Sequence, residues 1–311
     1  MSRVQLLFAG ADEYNDIWVK AAASLPDLDL VLYRPGLDPS RFRYLMLWRP
    51  VPGLLPAMPN LKAVFSFGAG VERHLANPEI PAHVPIVRMV EPGLTQGMAD
   101  YVLWQVLRHH RRFWELEEAA REGRWAPHWY PAAWDRKVGI LGLGNLGQAA
   151  ARQLLSFDFQ IRGWSQSRKD LPGIASFAGT AELPAFLKDL EILVCLLPLT
   201  PQTAGILNAG LFAQLAPGAA LINAGRGGHL VEADLIPALN SGQLAAASLD
   251  VFATEPLPGD HPFWAHPRIF VTPHNASDTD PGTGLGEVWR QIVAFEGGRP
   301  LENVVERARG Y

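Results

Sequence analysis

Short apolar runs alternate with segments of helical spacing along most of the chain. Apolar runs that end in glycine or a polar residue are typical of buried strands, and they occur at 4–8, 45–48, 63–67, 137–141, 159–164, 220–225, 247–252 and 269–271. Helical spacing occurs at 14–25, 97–122 and 148–155. Strands that alternate with helices favour parallel βαβ units. The pattern therefore predicts an α/β fold with parallel sheets and one long helix over 97–122.

One run between Glu191 and Arg226 carries no charged side chain over its 34 residues, 192–225. A membrane span needs about 20 consecutive apolar residues. Polar residues and prolines interrupt this run, namely Pro198, Thr200, Pro201, Gln202, Thr203, Asn208, Gln214, Pro217 and Asn223. We therefore predict a strand, a loop, a helix and a strand inside an α/β domain, and no membrane partner.

Composition narrows the class of protein. The 311 residues suggest about two domains, and 48% hydrophobic against 19% charged residues excludes wholesale disorder. A net charge of −4 without a cluster of Lys and Arg argues against a nucleic-acid partner. The single cysteine, Cys195, can form neither an internal disulfide nor a cysteine metal cluster, and we predict no metal. Because the apolar run at 4–10 is too short for a signal peptide, the simplest localisation is cytoplasmic.

A glycine motif follows the strand at 137–141 directly and precedes a helical segment. It reads Gly142-Leu143-Gly144-Asn145-Leu146-Gly147, the G-x-G-x-x-G dinucleotide fingerprint in its strand–loop–helix setting. Gly142 permits the tight turn, Gly144 admits the pyrophosphate, and Gly147 lets helix and strand pack closely. The helix N-terminus would offer N–H groups to the phosphates. We expect a bound dinucleotide here rather than an empty turn.

The end of the next strand distinguishes between the two nicotinamide dinucleotides. An NAD site places Asp or Glu about 20 residues further on, where the carboxylate binds the ribose 2′-hydroxyl. Here the strand ends in Ser165, Gln166, Ser167, Arg168 and Lys169, without a carboxylate. Hydroxyl and cationic groups suit a 2′-phosphate, which a carboxylate would repel. We predict a preference for NADP(H), with NAD(H) as a second possibility.

Three polar side chains follow the carboxyl ends of later strands, where ligands bind in open α/β sheets. They are Arg226, Glu255 and His274. Arg226 suits the carboxylate and carbonyl of a 2-keto acid. His274 suits proton donation near neutral pH, and Glu255 would hold its ring and stabilise the imidazolium. Each alone is more often structural, but the ordered set after a dinucleotide fingerprint predicts hydride transfer to a keto acid.

The motifs G-L-G-N-L-G, L-I-N-A-G-R-G, L-D-V-F-A-T-E-P-L and T-P-H resemble those of the D-isomer-specific 2-hydroxyacid dehydrogenase family. The segments A-V-F-S-F-G-A-G-V, W-S-Q-S-R-K and E-R-A-R-G-Y resemble its glyoxylate/hydroxypyruvate reductase A type. The resemblance covers essentially the whole chain. It implies NADPH-dependent reduction of glyoxylate and hydroxypyruvate to glycolate and D-glycerate, with Arg226, Glu255 and His274 in the roles given above.

The resemblance also implies an architecture and further contacts. It implies two Rossmann-like domains with the active site in the cleft between them: a flavodoxin-like substrate domain from 1–98 and 276–311, and an NADP(H)-binding domain from 99–275. It places the substrate near Trp48, Arg49, Ala69 and Gly70, and the cofactor near Pro198, Thr203, Asn223, Ala224 and Asp250. It implies a homodimer, for which the aromatic segment 123–134 is a candidate interface, with Trp125 near the partner's site.

Two departures from the family pattern bear on the site. Gln166 stands where arginine is expected, so binding of the 2′-phosphate rests more on Arg168. The residues after His274 include a polar side chain at a position that is usually apolar, which alters the polarity of the pocket. Two other functions remain open: a dehydrogenase for a bulkier 2-keto acid, and a nucleotide-sensing binding protein on the same fold.

Overall fold

The structure is a computed structural model that describes residues 3–10 and 14–311. The chain divides into two compact units: a first unit of Met1–Leu94 with Asp278–Tyr311, and a second unit of Thr95–Ser277. The boundaries predicted from the sequence, after residues 98 and 275, differ from this division by a few residues. The assignment of substrate and cofactor roles to the two units stays a prediction.

The first unit contains a parallel five-stranded sheet in the order β2-β1-β3-β4-β5. This 2-1-3-4-5 order is that of flavodoxin-like folds. The strands are β1 (Val4–Ala9), β2 (Leu28–Leu32), β3 (Tyr44–Leu47), β4 (Ala63–Ser66) and β5 (Ile86–Val87). The helices are α1 (Asn15–Ala22), α2 (Glu72–Leu75) and α9 (Pro281–Glu296), with a 3₁₀ turn at Leu55–Ala57. Every residue of β3 and β4 is buried, as expected for central parallel strands covered on both faces.

The second unit contains a parallel seven-stranded sheet in the order β12-β11-β10-β9-β6-β7-β8. The strands are β6 (Lys137–Leu141), β7 (Gln160–Ser165), β8 (Ile174–Ala178), β9 (Ile192–Cys195), β10 (Ala219–Asn223), β11 (Leu244–Leu249) and β12 (Ile269–Val271). The helices are α3 (Pro92–His110), α4 (Phe113–Arg121), α5 (Asn145–Leu155), α6 (Gly179–Leu187), α7 (Ala209–Phe212) and α8 (Glu232–Asn240). Helix α3 begins within the first unit. The strand order reverses between β6 and β9, and this switch point is where open α/β sheets bind ligands.

The prediction of one helix over 97–122 is wrong. Two helices, α3 and α4, occupy this stretch. Arg112 lies between them with a φ of 51°, in the left-handed region. A side chain in that region interrupts a right-handed helix, so one helix ends before Arg112 and a second begins after it although the helical sequence pattern continues.

The charge-free run forms the interior of the second unit. Its first residues form β9, α7 follows a loop, and its last strand is β10, which confirms the predicted strand, loop, helix and strand. Cys195 ends β9 and is fully buried, and burial raises the pKa of its thiol to about 12. Within residues 3–10 and 14–311, no helix combines the length and the apolar character needed to cross a bilayer.

Candidate active site

The turn after β10 presents Arg226. Asn223, the last residue of β10, is completely buried. Its Oδ1 accepts a hydrogen bond from the N–H of Gly225 at 3.2 Å, and its Nδ2 donates to the carbonyl oxygen of Arg226 at 3.2 Å. A buried amide with both ends paired fixes the backbone around it. Asn223 therefore shapes the turn that carries Arg226, whose Nη1 donates to the carbonyl oxygen of Gly225 at 2.6 Å.

The Arg226 turn packs backbone to backbone against the loop that carries Glu255. A Cβ atom added to Gly227 would lie 1.9 Å from both the carbonyl carbon and the oxygen of Phe252. Only glycine permits such an approach. The N–H of Phe252 in turn donates to Oε1 of Glu255 at 3.1 Å. The position of the Glu255 carboxylate thus depends on the same backbone that contacts Gly227.

Glu255 and His274 form a hydrogen-bonded pair at the centre of the site. Nδ1 of His274 donates to Oε2 of Glu255 across 2.8 Å. The glutamate side chain is 26% exposed and that of the histidine 45%. Since Nδ1 is engaged with the carboxylate, Nε2 lies on the other side of the ring, where it can exchange a proton with a ligand.

Asp250 fixes the segment that carries His274. His274 has a φ of 54°, an unfavourable conformation for a residue with a Cβ. Its N–H donates to the carbonyl oxygen of Asp250 at 2.8 Å. The buried Asp250 carboxylate accepts from the N–H groups of Asn275 and Ala276, each at 3.0 Å, and from Oγ1 of Thr272 at 2.7 Å. These bonds hold His274 in its left-handed conformation.

The glycine loop has the shape of a phosphate cradle. Gly142 has a φ of 103°, and a Cβ there would lie 2.7 Å from the carbonyl oxygen of Leu196. A Cβ on Gly147 would lie 1.8 Å from the carbonyl oxygen of Gly142. By contrast, no atom lies within 4 Å of a Cβ built on Gly144, which precedes α5 and its first residues Asn145 and Leu146. Open space at a helix N-terminus fits a dinucleotide pyrophosphate.

A second loop leaves the sheet beside the glycine loop, since Leu196 contacts Gly142. In this loop, Oγ1 of Thr203 donates to the carbonyl oxygen of Pro198 at 2.7 Å. It also accepts from the N–H of Thr200 at 2.9 Å. The Thr203 hydroxyl therefore stabilises the loop itself. Ala224, also a predicted cofactor contact, is buried after β10.

Contacts around the loop after β7 hold the Arg168 side chain in place. Oγ of Ser165 donates to the carbonyl oxygen of Ser167 at 2.7 Å. The Arg168 guanidinium forms an ion pair with Glu182 on α6 and donates to the carbonyl oxygen of Ser176 at 2.5 Å. The N–H of Lys169, next along the chain, donates to Oγ of Ser176 at 3.1 Å. Arg168 is thus anchored at the strand end where an adenosine ribose would lie.

Comparison with known proteins identifies the family. The sequence model for the NAD binding domain of D-isomer specific 2-hydroxyacid dehydrogenases matches residues 103–276. A glyoxylate/hydroxypyruvate reductase A from Serratia proteamaculans (strain 568) is 46% identical over 292 residues, which cover 92% of this chain and 93% of the relative. This chain belongs to the D-isomer specific 2-hydroxyacid dehydrogenase family. The resemblance seen in the sequence motifs is confirmed.

Solved structures of other 2-hydroxyacid dehydrogenases are similar over the full chain. One, from Xanthobacter autotrophicus Py2 in complex with NADPH and MES, has a TM-score of 0.95 at 42% identity and covers 100% of both chains. Another is an NADPH-dependent glyoxylate/hydroxypyruvate reductase from Sinorhizobium meliloti in complex with NADP and sulfate. Its TM-score is 0.94 at 40% identity, over 99% of this chain and 100% of that one. The predicted α/β fold with two parallel sheets is confirmed.

In this 2-hydroxyacid dehydrogenase, four of the predicted substrate contacts lie in the first unit, at the carboxyl ends of β3 and β4. They are Trp48, Arg49, Ala69 and Gly70. The Trp48 ring packs edge-on against Phe67 with centroids 5.6 Å apart, which leaves Trp48 partly exposed. Oγ of Ser66 donates to the carbonyl oxygen of Gly70 at 3.3 Å and shapes the loop. The predicted catalytic and cofactor residues all lie in the second unit.

Two residues that support the site were not predicted from the sequence. Glu182 anchors Arg168, and His229 contacts the backbone of Arg226. His229 had a local signal, since it follows the candidate Arg226 by three residues. Glu182 had none, because the pairing depends on β8 and α6 folding beside the loop after β7.

Proposed function

We propose that this protein uses NADPH to reduce glyoxylate and hydroxypyruvate to glycolate and D-glycerate. The observation that carries the proposal is the 2.8 Å pairing of Glu255 with His274. This pair lies at the carboxyl ends of the strands in the sheet whose β6 leads into the glycine loop. An acid/base group and a dinucleotide cradle on one sheet suit hydride transfer to a carbonyl. The names of the relatives support the small keto acid as substrate.

Each residue of the site has a specific part in the reaction. When bound, the nicotinamide supplies the hydride that adds to the carbonyl carbon. Arg226 pairs with the substrate carboxylate and polarises the carbonyl oxygen. His274 transfers a proton from Nε2 to that oxygen, and Glu255 orients the ring and stabilises its cationic form. Backbone amides of Ala69 and Gly70 bind the carboxylate, while Trp48 and Arg49 line the pocket.

A substrate panel tests this function. NADPH oxidation is followed by absorbance with glyoxylate, hydroxypyruvate, pyruvate and phenylpyruvate, and kcat/KM is compared. We expect glyoxylate and hydroxypyruvate to have the highest kcat/KM of the four. A clear preference for phenylpyruvate would assign the enzyme to a bulkier substrate. Binding of NADPH without turnover of any of the four would favour the nucleotide-sensing function instead.

We also propose that Arg168 gives the enzyme its preference for NADPH. Its guanidinium is anchored by Glu182 and the carbonyl oxygen of Ser176, and its other N–H groups can donate to a 2′-phosphate. Because the side chain is already held in place, it loses little conformational entropy when the phosphate binds. Arg168→Ala should weaken NADPH binding roughly tenfold, as expected for one charge-assisted hydrogen bond. NADH binding should change little, because NADH lacks the phosphate. Titration of nicotinamide fluorescence measures both dissociation constants.

A charge-matched control separates this contact from a general effect of charge. Arg152 is an exposed arginine on α5, away from the loop after β7. Arg152→Ala should leave the ratio of the two dissociation constants at its wild-type value. If Arg168→Ala weakens NADH and NADPH binding equally, Arg168 stabilises the fold of the loop and does not bind the 2′-phosphate.

We propose that the enzyme is a homodimer that uses the aromatic segment 123–134. Trp125 is 94% exposed and Trp129 83%. The segment is held in place, since Arg111 stacks on Tyr130 at 3.8 Å and its carbonyl oxygen bonds to Nε2 of His128 at 3.0 Å. Ordered, exposed tryptophans mark association surfaces. Sedimentation equilibrium should give twice the mass of the chain, and a monomer at micromolar concentration would contradict the proposal.

We place the enzyme in the cytoplasm, where cells maintain the NADPH pool that such a reductase consumes. Cys195, the single cysteine, is a buried strand residue rather than part of a disulfide, which is compatible with a reducing compartment. Cell fractionation with antibodies against the chain tests the location.

A further inference from the structure

His229 lies between the turn that carries Arg226 and the loop predicted to contact the cofactor. It ends the 3₁₀ turn Gly227–His229, and its side chain is completely buried. Nδ1 accepts a hydrogen bond from the N–H of Arg226 at 3.0 Å. Nε2 contacts the carbonyl oxygen of Pro198 at 3.2 Å. One buried ring therefore joins the backbone of Arg226 to the backbone of Pro198.

The two partners determine the protonation state of the ring. A backbone N–H can only donate, so Nδ1 facing Arg226 carries no hydrogen. A carbonyl oxygen can only accept, so Nε2 facing Pro198 carries the hydrogen. His229 is consequently a neutral imidazole in one tautomer. A group whose nitrogens are both used in this way holds two backbone segments and does not supply protons to a reaction.

The surrounding backbone fits around this ring. We call residues 198–207 the Pro198 loop. Its Gly205 N–H donates to the carbonyl oxygen of Gly228 at 2.9 Å, and its Leu207 N–H donates to that of His229 at 2.8 Å. A Cβ on Gly225 would lie 3.0 Å from Nδ1 of His229, so the ring packs directly against the turn before Arg226. The Pro198 loop and the Arg226 turn are therefore joined by side chain and backbone together.

We propose that His229 is a positioning residue whose Nδ1 fixes the backbone of Arg226 and so sets how the keto acid carboxylate is held. The proposal rests on the proposed function, in which Arg226 binds that carboxylate. The bond from the Arg226 N–H to Nδ1 fixes the backbone from which the Arg226 side chain extends. The bond to Pro198 keeps the His229 ring from rotating away from Arg226. Neither bond involves the proton that His274 transfers.

Two conservative variants separate the two bonds. In His229→Asn, the amide oxygen occupies the place of Nδ1 and can still accept from Arg226. In His229→Gln, the longer amide reaches the place of Nε2 and can still donate to Pro198, but the Arg226 N–H loses its acceptor. We expect His229→Gln to weaken substrate binding roughly tenfold, as for one unpaired buried group. His229→Asn should stay within about threefold of wild type.

The measurements must distinguish positioning from a general loss of structure. The readouts are KM and kcat for glyoxylate, the dissociation constant of oxalate from the NADPH complex, and that of NADPH alone. We expect His229→Gln to raise KM and weaken oxalate while NADPH binding stays within about twofold, since the glycine loop is untouched. Equal effects of both variants on all three quantities, or no effect of His229→Gln on oxalate, would overturn the proposal.

Two further variants serve as controls. His266→Gln removes a comparable bond, from the Arg268 N–H to Nδ1, at a site away from Arg226, and should leave oxalate binding unchanged. Arg226→Ala tests the proposed function on which the inference depends. If Arg226→Ala binds oxalate like wild type, the role of Arg226 fails. If Arg226→Ala weakens oxalate binding and His229→Gln does not, only the role of His229 fails.

Discussion

Replacement of His274 by alanine is expected to lower kcat for glyoxylate reduction roughly 10²–10⁴-fold, the usual contribution of a general acid. The side chain is the group that can deliver a proton to the carbonyl oxygen, because its Nδ1 is engaged with Glu255 and its Nε2 faces away from that carboxylate. NADPH affinity should persist, since the glycine loop belongs to a different part of the sheet edge. Steady-state rates and fluorescence titration measure the two quantities on the same preparation.

Glu255→Gln provides the matched comparison. The glutamine oxygen can still accept from Nδ1 of His274 but carries no charge to stabilise the imidazolium. We expect a smaller loss of kcat than in His274→Ala, and less still in His266→Ala, a histidine outside the site. Turnover of the His274→Ala enzyme at the wild-type rate would remove His274 from the mechanism. A loss of NADPH binding together with kcat would point to a structural role.

Much of the site could be predicted from sequence because it depends on local geometry. The glycine loop follows directly from the spacing of Gly142, Gly144 and Gly147 between a strand and a helix. Arg226 and His274 each follow the end of a parallel strand, and parallel strands place their carboxyl ends at one edge of a sheet. The pairing of His274 with Glu255 at 2.8 Å agrees with the interaction expected from their order along the chain.

Other features depend on contacts between distant residues, which a pattern along the chain does not contain. The break between α3 and α4 occurs at Arg112, where neither glycine nor proline marks it. The pattern gave no indication of β8, which lies at the edge of the sheet and whose residues after the buried Ile174 are exposed or half-buried. The ion pair of Arg168 with Glu182 likewise requires α6 to pack beside the loop after β7.

Asp250 illustrates a residue whose importance was predicted but whose contacts were not. The family resemblance places it near the nicotinamide, and that role stays a prediction. In the structure, its carboxylate holds the N–H groups of Asn275 and Ala276, and its carbonyl oxygen holds that of His274. A buried carboxylate that accepts several hydrogen bonds stabilises a specific backbone path. The hydrogen bonds that Asp250 accepts therefore stabilise the left-handed conformation of His274.

Gly227→Ala is expected to lower kcat/KM about 10²-fold, the effect of a misplacement of about 1 Å in a catalytic group. The added Cβ would lie 1.9 Å from the carbonyl carbon and oxygen of Phe252, and backbone cannot move aside as a side chain can. Displacement of Phe252 moves the N–H that holds Glu255. Overpacking of this kind also lowers the free energy of unfolding by about 1–3 kcal/mol, which thermal or urea unfolding measures.

The adjacent glycine separates this contact from a general requirement for glycine in the turn. Neither Gly227 nor Gly228 has a positive φ, so alanine is compatible with the backbone conformation at both positions. A Cβ on Gly228 would meet the methyl end of the Leu199 side chain at 3.0 Å, which can rotate away. We therefore expect Gly228→Ala to retain kcat/KM within a few-fold. Equal losses in both variants would show that the turn tolerates no side chain, and the approach of Gly227 to Phe252 would then not explain how Glu255 is positioned.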